Sequence, residues 1–265
     1  MTLCIVGAGA MGRWLAATVD AAPALDTDLA FADTDADAAA DAAAAFADAE
    51  TVPLDGGTPA ADRSFETVCL AVPIPAVEAA VANWAPHAES AMLDLSGVMV
   101  GPVDAMREHL PGRERASLHP LFAPQRAPGN VALVADSVGT TLSPLLDALR
   151  EAGNDLFETT PEEHDDAMTT VQAKSHAAVL AWALAGDDVR EEFHTPVSAG
   201  LSDLAGTVTE GEARVYADVQ EAFGGADAVA EAARELADAD HEAFAALYER
   251  AAERAGSTPT TEGER

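Results

Sequence analysis

The chain reads as an α/β protein: a mostly parallel sheet with helices on both faces over residues 1–156, then an all-helical region over 157–256. Three observations predict this. Short apolar runs of strand length alternate with helical patterns as far as Leu156, and beyond it only helical periodicity remains. A glycine-spaced turn, Gly7-Ala8-Gly9-Ala10-Met11-Gly12, joins the first run to the first helical pattern.

Leu3–Val6 is the first strand, and the helix after the glycine turn carries Trp14, Leu15 and Val19. Leu29–Ala32 is the second strand, ending at Asp33. The alanine-rich stretch 35–47 favours helix. Thr67–Val72 is a third strand, stopped by Pro73, and Ile74–Trp84 is helical. Ala91–Leu95, Arg115–Leu118 and Val131–Val134 read as further strands, and Ser143–Ala152 as a helix. Thr160-Pro161-Glu162-Glu163 is a helix start: Thr160 caps, Pro161 suits the first turn and Glu163 completes a capping box. From there to Arg254 the pattern is helical, with breaks around Gly186–Pro196, at Gly211 and at Gly224-Gly225. The polar stretch 257–265 reads as a disordered tail.

Composition removes several classes of function. Fourteen basic residues stand against 46 acidic ones, a net charge of −32, and Lys174 is the only lysine. That excludes the basic patch of a nucleic-acid binder. Repulsion of this size destabilises a compact fold at low salt and fades when salt screens it, so the acidity reads as adaptation to a salty cytoplasm. No apolar run reaches the length of a membrane span, and Met1–Val6 enters a strand with no basic segment or cleavage site, so no signal peptide is expected. Cys4 and Cys69 each fall in a strand, as buried apolar thiols do, and no metal-binding pattern is present.

The glycine spacing has the context that gives it meaning: strand before, helix after. Gly7 permits a tight turn, Gly9 lets a pyrophosphate approach the backbone, and Gly12 lets helix and strand pack closely. The helix N-terminus offers unpaired N–H groups to phosphates. Asp33, at the end of the second strand, is placed to bind ribose hydroxyls and to repel a 2′-phosphate, which favours NAD over NADP. The region is therefore expected to be a Rossmann-like domain with Gly7, Ala8, Gly9, Ala10, Met11, Gly12, Asp33 and the strand end Ala71-Val72-Pro73 along the cofactor.

Two histidines stand apart. His119 ends a strand, where an open parallel sheet presents its ligand crevice, and an imidazole there can take a proton near neutral pH. His176 lies on the first helix of the second region. His164, Met168, Gln172 and His176 follow at four-residue steps, so Gln172 and His176 share a helix face and are expected to project together towards the crevice.

Four segments resemble prephenate dehydrogenases, enzymes of tyrosine synthesis, and the likeness spans nearly the whole chain: the glycine turn; Asp94-Leu95-Ser96-Gly97-Val98; His119-Pro120-Leu121-Phe122-Ala123-Pro124; and Glu163–His176 with its Val171-Gln172 and following histidine. Tyr216-Ala217-Asp218-Val219 is also similar. The resemblance implies oxidative decarboxylation of prephenate to 4-hydroxyphenylpyruvate with NAD. It implies His119 as acceptor of the carbinol proton, with Gln172 and His176 holding the substrate and the helical domain pairing into a homodimer. It also implies a small-molecule substrate, no nucleic-acid or membrane partner, and a cytoplasmic enzyme.

Three positions depart from the family pattern. Gly97 stands where many relatives have a serine that contacts the reacting hydroxyl, with Ser96 next to it as a possible substitute, and Met99 stands where they have a lysine. Thr207 stands where a substrate-binding arginine is expected, leaving Arg214, Lys174 and Arg126 as candidate cations. Neutral Gln125, six residues after His119, favours prephenate over the amine-bearing arogenate. The rival readings are a hydroxyacid dehydrogenase or imine reductase using Lys174 as its acid/base group, and a non-catalytic NAD-sensing module.

Overall fold

The computed structural model describes residues 1–256; the expected tail, 257–265, lies outside the described residues. The chain divides into two compact units, one comprising Met1–Met168 with Ala217–Ala222, the other Thr169–Tyr216 with the chain from Phe223 on.

The first unit is built on one sheet. Its strands are β1 (Thr2–Val6), β2 (Asp28–Ala32), β3 (Glu50–Thr51), β4 (Phe65–Leu70), β5 (Ala88–Asp94), β6 (Glu114–Pro120), β7 (Asn130–Ser137) and β8 (Asp155–Glu158), in the order β3-β2-β1-β4-β5-β6-β7-β8. All pair in parallel except β6 with β7, which run antiparallel. Helices α1 (Ala10–Asp20), α2 (Ala36–Ala43), α3 (Val77–Trp84), α4 (Val100–His109), α5 (Ser143–Glu151) and α6 (Pro161–Met168) complete it.

Each central strand is apolar along its whole length because both faces are covered. One face holds Leu3, Ile5, Phe31, Cys69, Leu93 and Leu118. The other holds Cys4, Val68, Leu70, Met92, Trp84 and Met106. Cys4 and Cys69 are free and buried, and burial pushes both thiols well above their usual range.

The structure refines several expectations. Helix α2 ends at Ala43, short of the predicted 47, and Ile74–Ala76 is a 3-10 turn ahead of α3. Strand β8 occupies residues where the strand pattern was expected to stop. Thr160 does cap α6, accepting from the Glu163 N–H at 3.1 Å, but the Glu163 carboxylate accepts from the Thr159 hydroxyl at 3.1 Å rather than closing a capping box.

The second unit is helical: a π-helical turn at Thr169–Lys174, then α7 (Ser175–Ala185), α8 (Pro196–Thr209), α9 (Ala213–Phe223, whose Ala217–Ala222 belong with the sheet unit), α10 (Ala226–Asp238) and α11 (His241–Arg254). Helix α8 begins with a true capping box between Thr195 and Ser198. Among the described residues no helix is long and apolar enough to cross a membrane. None of their His, Cys, Asp and Glu side chains gather into a group able to hold a metal ion.

Candidate active site

The parallel strands of the first unit end on one edge of the sheet, and the loops that follow them carry the polar residues. After β1 the chain turns at Gly7 with φ 104°, and a Cβ there would lie 2.2 Å from the Ala71 carbonyl oxygen. Only glycine fits, because β4 ends against this turn. Gly12 is held as tightly: its Cβ would fall 2.1 Å from the Gly7 carbonyl oxygen. Gly9 differs. It is the N-cap of α1 with no side-chain cap, and a Cβ there would meet nothing within 4 Å. The loop therefore packs closely below and stays open above, where an anion can approach the first-turn amides.

Asp33 and Arg13 pin this loop from both sides. Asp33 Oδ2 accepts the Ala8 N–H at 2.7 Å, and its Oδ1 accepts the Asp35 N–H at 2.9 Å. Arg13 Nε donates to the Ala8 carbonyl at 2.8 Å while its Nη2 donates to the Ala38 carbonyl at 3.0 Å. Ala71, Val72 and Pro73 follow β4, with Pro73 capping the 3-10 turn that carries Ile74.

Strand β5 ends at Asp94, fully buried. Its Oδ1 accepts the Ser96 N–H at 2.9 Å. Neither its Oδ2 nor the buried hydroxyl of Ser117, its register partner on β6, makes a hydrogen bond of good geometry, although the Ser117 hydroxyl still pulls the carboxyl down. Burial pushes the Asp94 carboxyl up to about 7, against the pull of the Ser96 amide. The Ser96 hydroxyl accepts the Val98 N–H at 3.2 Å, closing the loop on itself. It is Gly97 that adjoins His119: a Cβ at Gly97 would stand 3.7 Å from His119 Nε2 and 3.1 Å from Ile74 Cδ1. Ile74 thus fills part of the room that a side chain at position 97 needs.

His119, at the end of β6, is 8% exposed. Its Nδ1 lies 2.9 Å from His164 Nε2. His164 Nδ1 lies in turn 2.8 Å from Asp165 Oδ1. Asp165 also accepts the N–H groups of Met99 (2.9 Å) and Val100 (3.1 Å), the start of α4. Burial, then the neighbouring His164, push the His119 imidazole down to about 3, with Asp165 pulling the other way. For Asp165, burial is outweighed by the hydrogen bonds from His164, Val100 and Met99, which hold its carboxyl below the usual range. Met99 is fully buried. Sequence reasoning singles out His119 but gives His164 and Asp165 no role; the one signal was the His-Asp pair just inside a well-capped helix.

In the second unit, Gln172 sits within the π turn. Its i→i+5 bonding inserts a residue and resets the phase of the helix that follows, a feature frequent at functional sites. His176 is half-buried, and its ring stands edge-on to Tyr216 with centroids 4.8 Å apart. Its Nδ1 has no hydrogen-bond partner, and burial lowers its basicity. Thr207 is exposed and returns its hydroxyl to the Asp203 carbonyl at 3.1 Å. Arg214 lies 3.6 Å from Glu212. Lys174 ends the π turn. In the first unit, Gln125 and Arg126 are exposed in the 3-10 turn Pro124–Arg126.

No family model matches the chain. A 4-amino-4-deoxyprephenate dehydrogenase from Streptomyces pristinaespiralis is 31% identical over 212 residues, 71% of this chain and 70% of that protein. A probable arogenate/prephenate dehydrogenase from Methanocaldococcus jannaschii is 25% identical over 60% of this chain, a match that spans 39% of that longer protein. Among solved structures, prephenate dehydrogenase from A. aeolicus, in complex with hydroxyphenyl propionate and NAD+, shares the fold with a TM-score of 0.69. That likeness covers 97% of this chain and 98% of that one at 17% identity.

Proposed function

The chain belongs to the prephenate/arogenate dehydrogenase family, and from that premise we propose that it oxidises and decarboxylates prephenate with NAD, yielding 4-hydroxyphenylpyruvate. The observation that carries this reading is His119 at the C-terminal end of β6, with Nε2 beside the loop after β5 on the edge where the glycine loop opens.

The residues fit a dinucleotide. Gly9 leaves open space over uncapped amides for a pyrophosphate, and the Asp33 carboxylate at the end of β2 suits ribose hydroxyls and opposes a 2′-phosphate, hence NAD. When bound, the nicotinamide supplies the hydride acceptor. His119 Nε2 takes the carbinol proton as the ring C–O becomes carbonyl. Loss of the ring carboxyl as carbon dioxide makes the ring aromatic, and the resulting phenolate takes the same proton back. The reaction thus consumes and releases no net proton. His119 borrows one and returns it.

Gln172 and His176 are the groups we assign to the substrate from the second unit, with Lys174, Arg126 and Arg214 as candidate cations for its carboxylates. Residues 1–156 are read as the cofactor domain and 157–256 as the substrate and dimerisation domain of a cytoplasmic enzyme. Helix α7, apolar on all sides and with Leu184 86% exposed, supports a homodimer. The charge of −32 supports a protein that works in high salt.

A second reading is favoured by the 31% identity with a 4-amino-4-deoxyprephenate dehydrogenase: the same chemistry on a ring bearing an amine in place of the hydroxyl. The test follows NADH absorbance in molar potassium chloride with prephenate, arogenate and 4-amino-4-deoxyprephenate in turn, NADP in parallel, and His119→Asn as control. Turnover of prephenate that falls about a thousandfold in the variant is the expected result. Turnover of arogenate alone, or of 4-amino-4-deoxyprephenate alone, moves the substrate to that analogue. No turnover of any of the three by folded, NAD-binding protein rejects the assignment.

A further inference from the structure

His119, His164 and Asp165 form one hydrogen-bonded line anchored on the first amides of α4. We infer that His164 and Asp165 are positioning residues for proton transfer at His119, fixing its ring with Nδ1 protonated and Nε2 unprotonated and offsetting the charge it takes; this rests on the reading of His119 as the base.

The direction of the line follows from what each group can do. An ionised carboxylate only accepts, and Asp165 already accepts two backbone N–H groups, so the hydrogen between it and His164 belongs to His164 Nδ1. In a neutral His164 the other nitrogen, Nε2, is then an acceptor. The hydrogen in the 2.9 Å contact therefore belongs to His119 Nδ1. That leaves His119 Nε2 with its lone pair, and Nε2 is the atom beside Gly97. A His119 held as the other tautomer has no lone pair to offer there.

The second part concerns charge. Once His119 holds the borrowed proton it is a cation in a site 8% exposed, which burial opposes. His164 passes the Asp165 charge to it through two hydrogen bonds, and the α4 amides keep Asp165 ionised while it does so. The α4 start thus sets the state of a base two side chains away.

The test uses the full chain labelled with nitrogen-15 histidine. In the wild type, NMR is expected to show His119 as a single tautomer with Nδ1 protonated. Asp165→Asn and His164→Gln are each expected to mix the tautomers. In the ring-acid assay both variants should lower kcat about a hundredfold, with KM held within about threefold. Should Asp165→Asn fail to fold because the α4 cap is weakened, His164→Gln leaves that cap intact and carries the test. Wild-type His119 protonated at Nε2, as a doubly protonated His164 would require, overturns the inference, as does either variant keeping full kcat. If the wild type oxidises none of the ring acids, the enzymatic reading fails, and the NMR result still decides the tautomer claim.

Discussion

The two units dispose of their apolar residues in opposite ways. In the sheet unit, side chains as large as Trp84, Phe31 and Met92 are completely buried, on both faces of the strands. In the helical unit the buried described residues are small or branched, Ala173, Ala205 and Val208, while Leu184, Val197 and Phe193 are 86%, 74% and 66% exposed. A parallel sheet covered by its own crossover helices completes its core within one chain. Helices this apolar on their outer faces do not. The comparison teaches that the sheet unit completes its core by internal packing, whereas the helical unit leaves large apolar side chains open on the single chain.

The largest expected effect lies where the sheet unit is tightest. Gly12→Ala puts a methyl 2.1 Å from a backbone oxygen and should cost about 4–5 kcal/mol, with loss of NAD binding. Gly9→Ala, with open space around it, should change stability by no more than about 1 kcal/mol while still weakening NAD. Thermal melts with and without NAD separate the two. Equal destabilisation by both would mean the loop is not packed as described.

Asp94 tests the dry core next to that loop. Its carboxyl, raised to about 7 from 3.8, stays protonated in the fold when the unfolded chain has already ionised. The stability this gives is complete below about pH 4 and is lost as pH rises through 7, a difference of order 4 kcal/mol. Asp94→Asn removes that dependence. Its melting temperature should gain on the wild type between pH 4.5 and 8. Parallel curves for the two proteins would show that Asp94 ionises freely and that the core there is wet.

Much of the sheet unit was legible because burial on both faces writes continuous apolar runs, and because the Gly7–Gly12 spacing carries a steric meaning that the structure bears out at Gly7 and Gly12. Strand β8 was not, since Asp155-Leu156-Phe157-Glu158 is a short edge segment with Phe157 41% exposed and no apolar run. The π turn was invisible for a different reason. His164, Met168, Gln172 and His176 fit an unbroken α-helix, and periodicity cannot register one inserted residue. The link from His119 to His164 joins side chains 45 residues apart through packing alone, so no local pattern announces it.

In the helical unit the comparison predicts effects on association rather than folding. Leu184→Ser and Phe193→Ser remove apolar surface that the single chain leaves open, so neither should shift its intrinsic stability by more than about 0.5 kcal/mol. In a two-fold dimer each change is felt twice, and at ~2 kcal/mol per buried side chain the dimer should dissociate at least a hundredfold more readily. Sedimentation equilibrium in molar potassium chloride reads this directly. A wild type that is monomeric at every concentration would leave the exposed face without a second copy and break the comparison there.

The smallest effect probes the same surface from the backbone. Gly206 lies inside α8, and a Cβ there meets nothing within 4 Å. Glycine in a helix interior costs backbone entropy that alanine does not, so Gly206→Ala should stabilise the protein by about 0.5–1 kcal/mol, a rise of roughly 1–4 °C in Tm. That holds if solvent occupies the space. If a helix of a second copy approaches there, the added methyl meets it, and the variant should gain nothing in Tm while its dimer weakens. The sign of one small change therefore tells whether α8 faces water or a neighbour, and so whether the open faces of the helical unit meet on this helix or elsewhere.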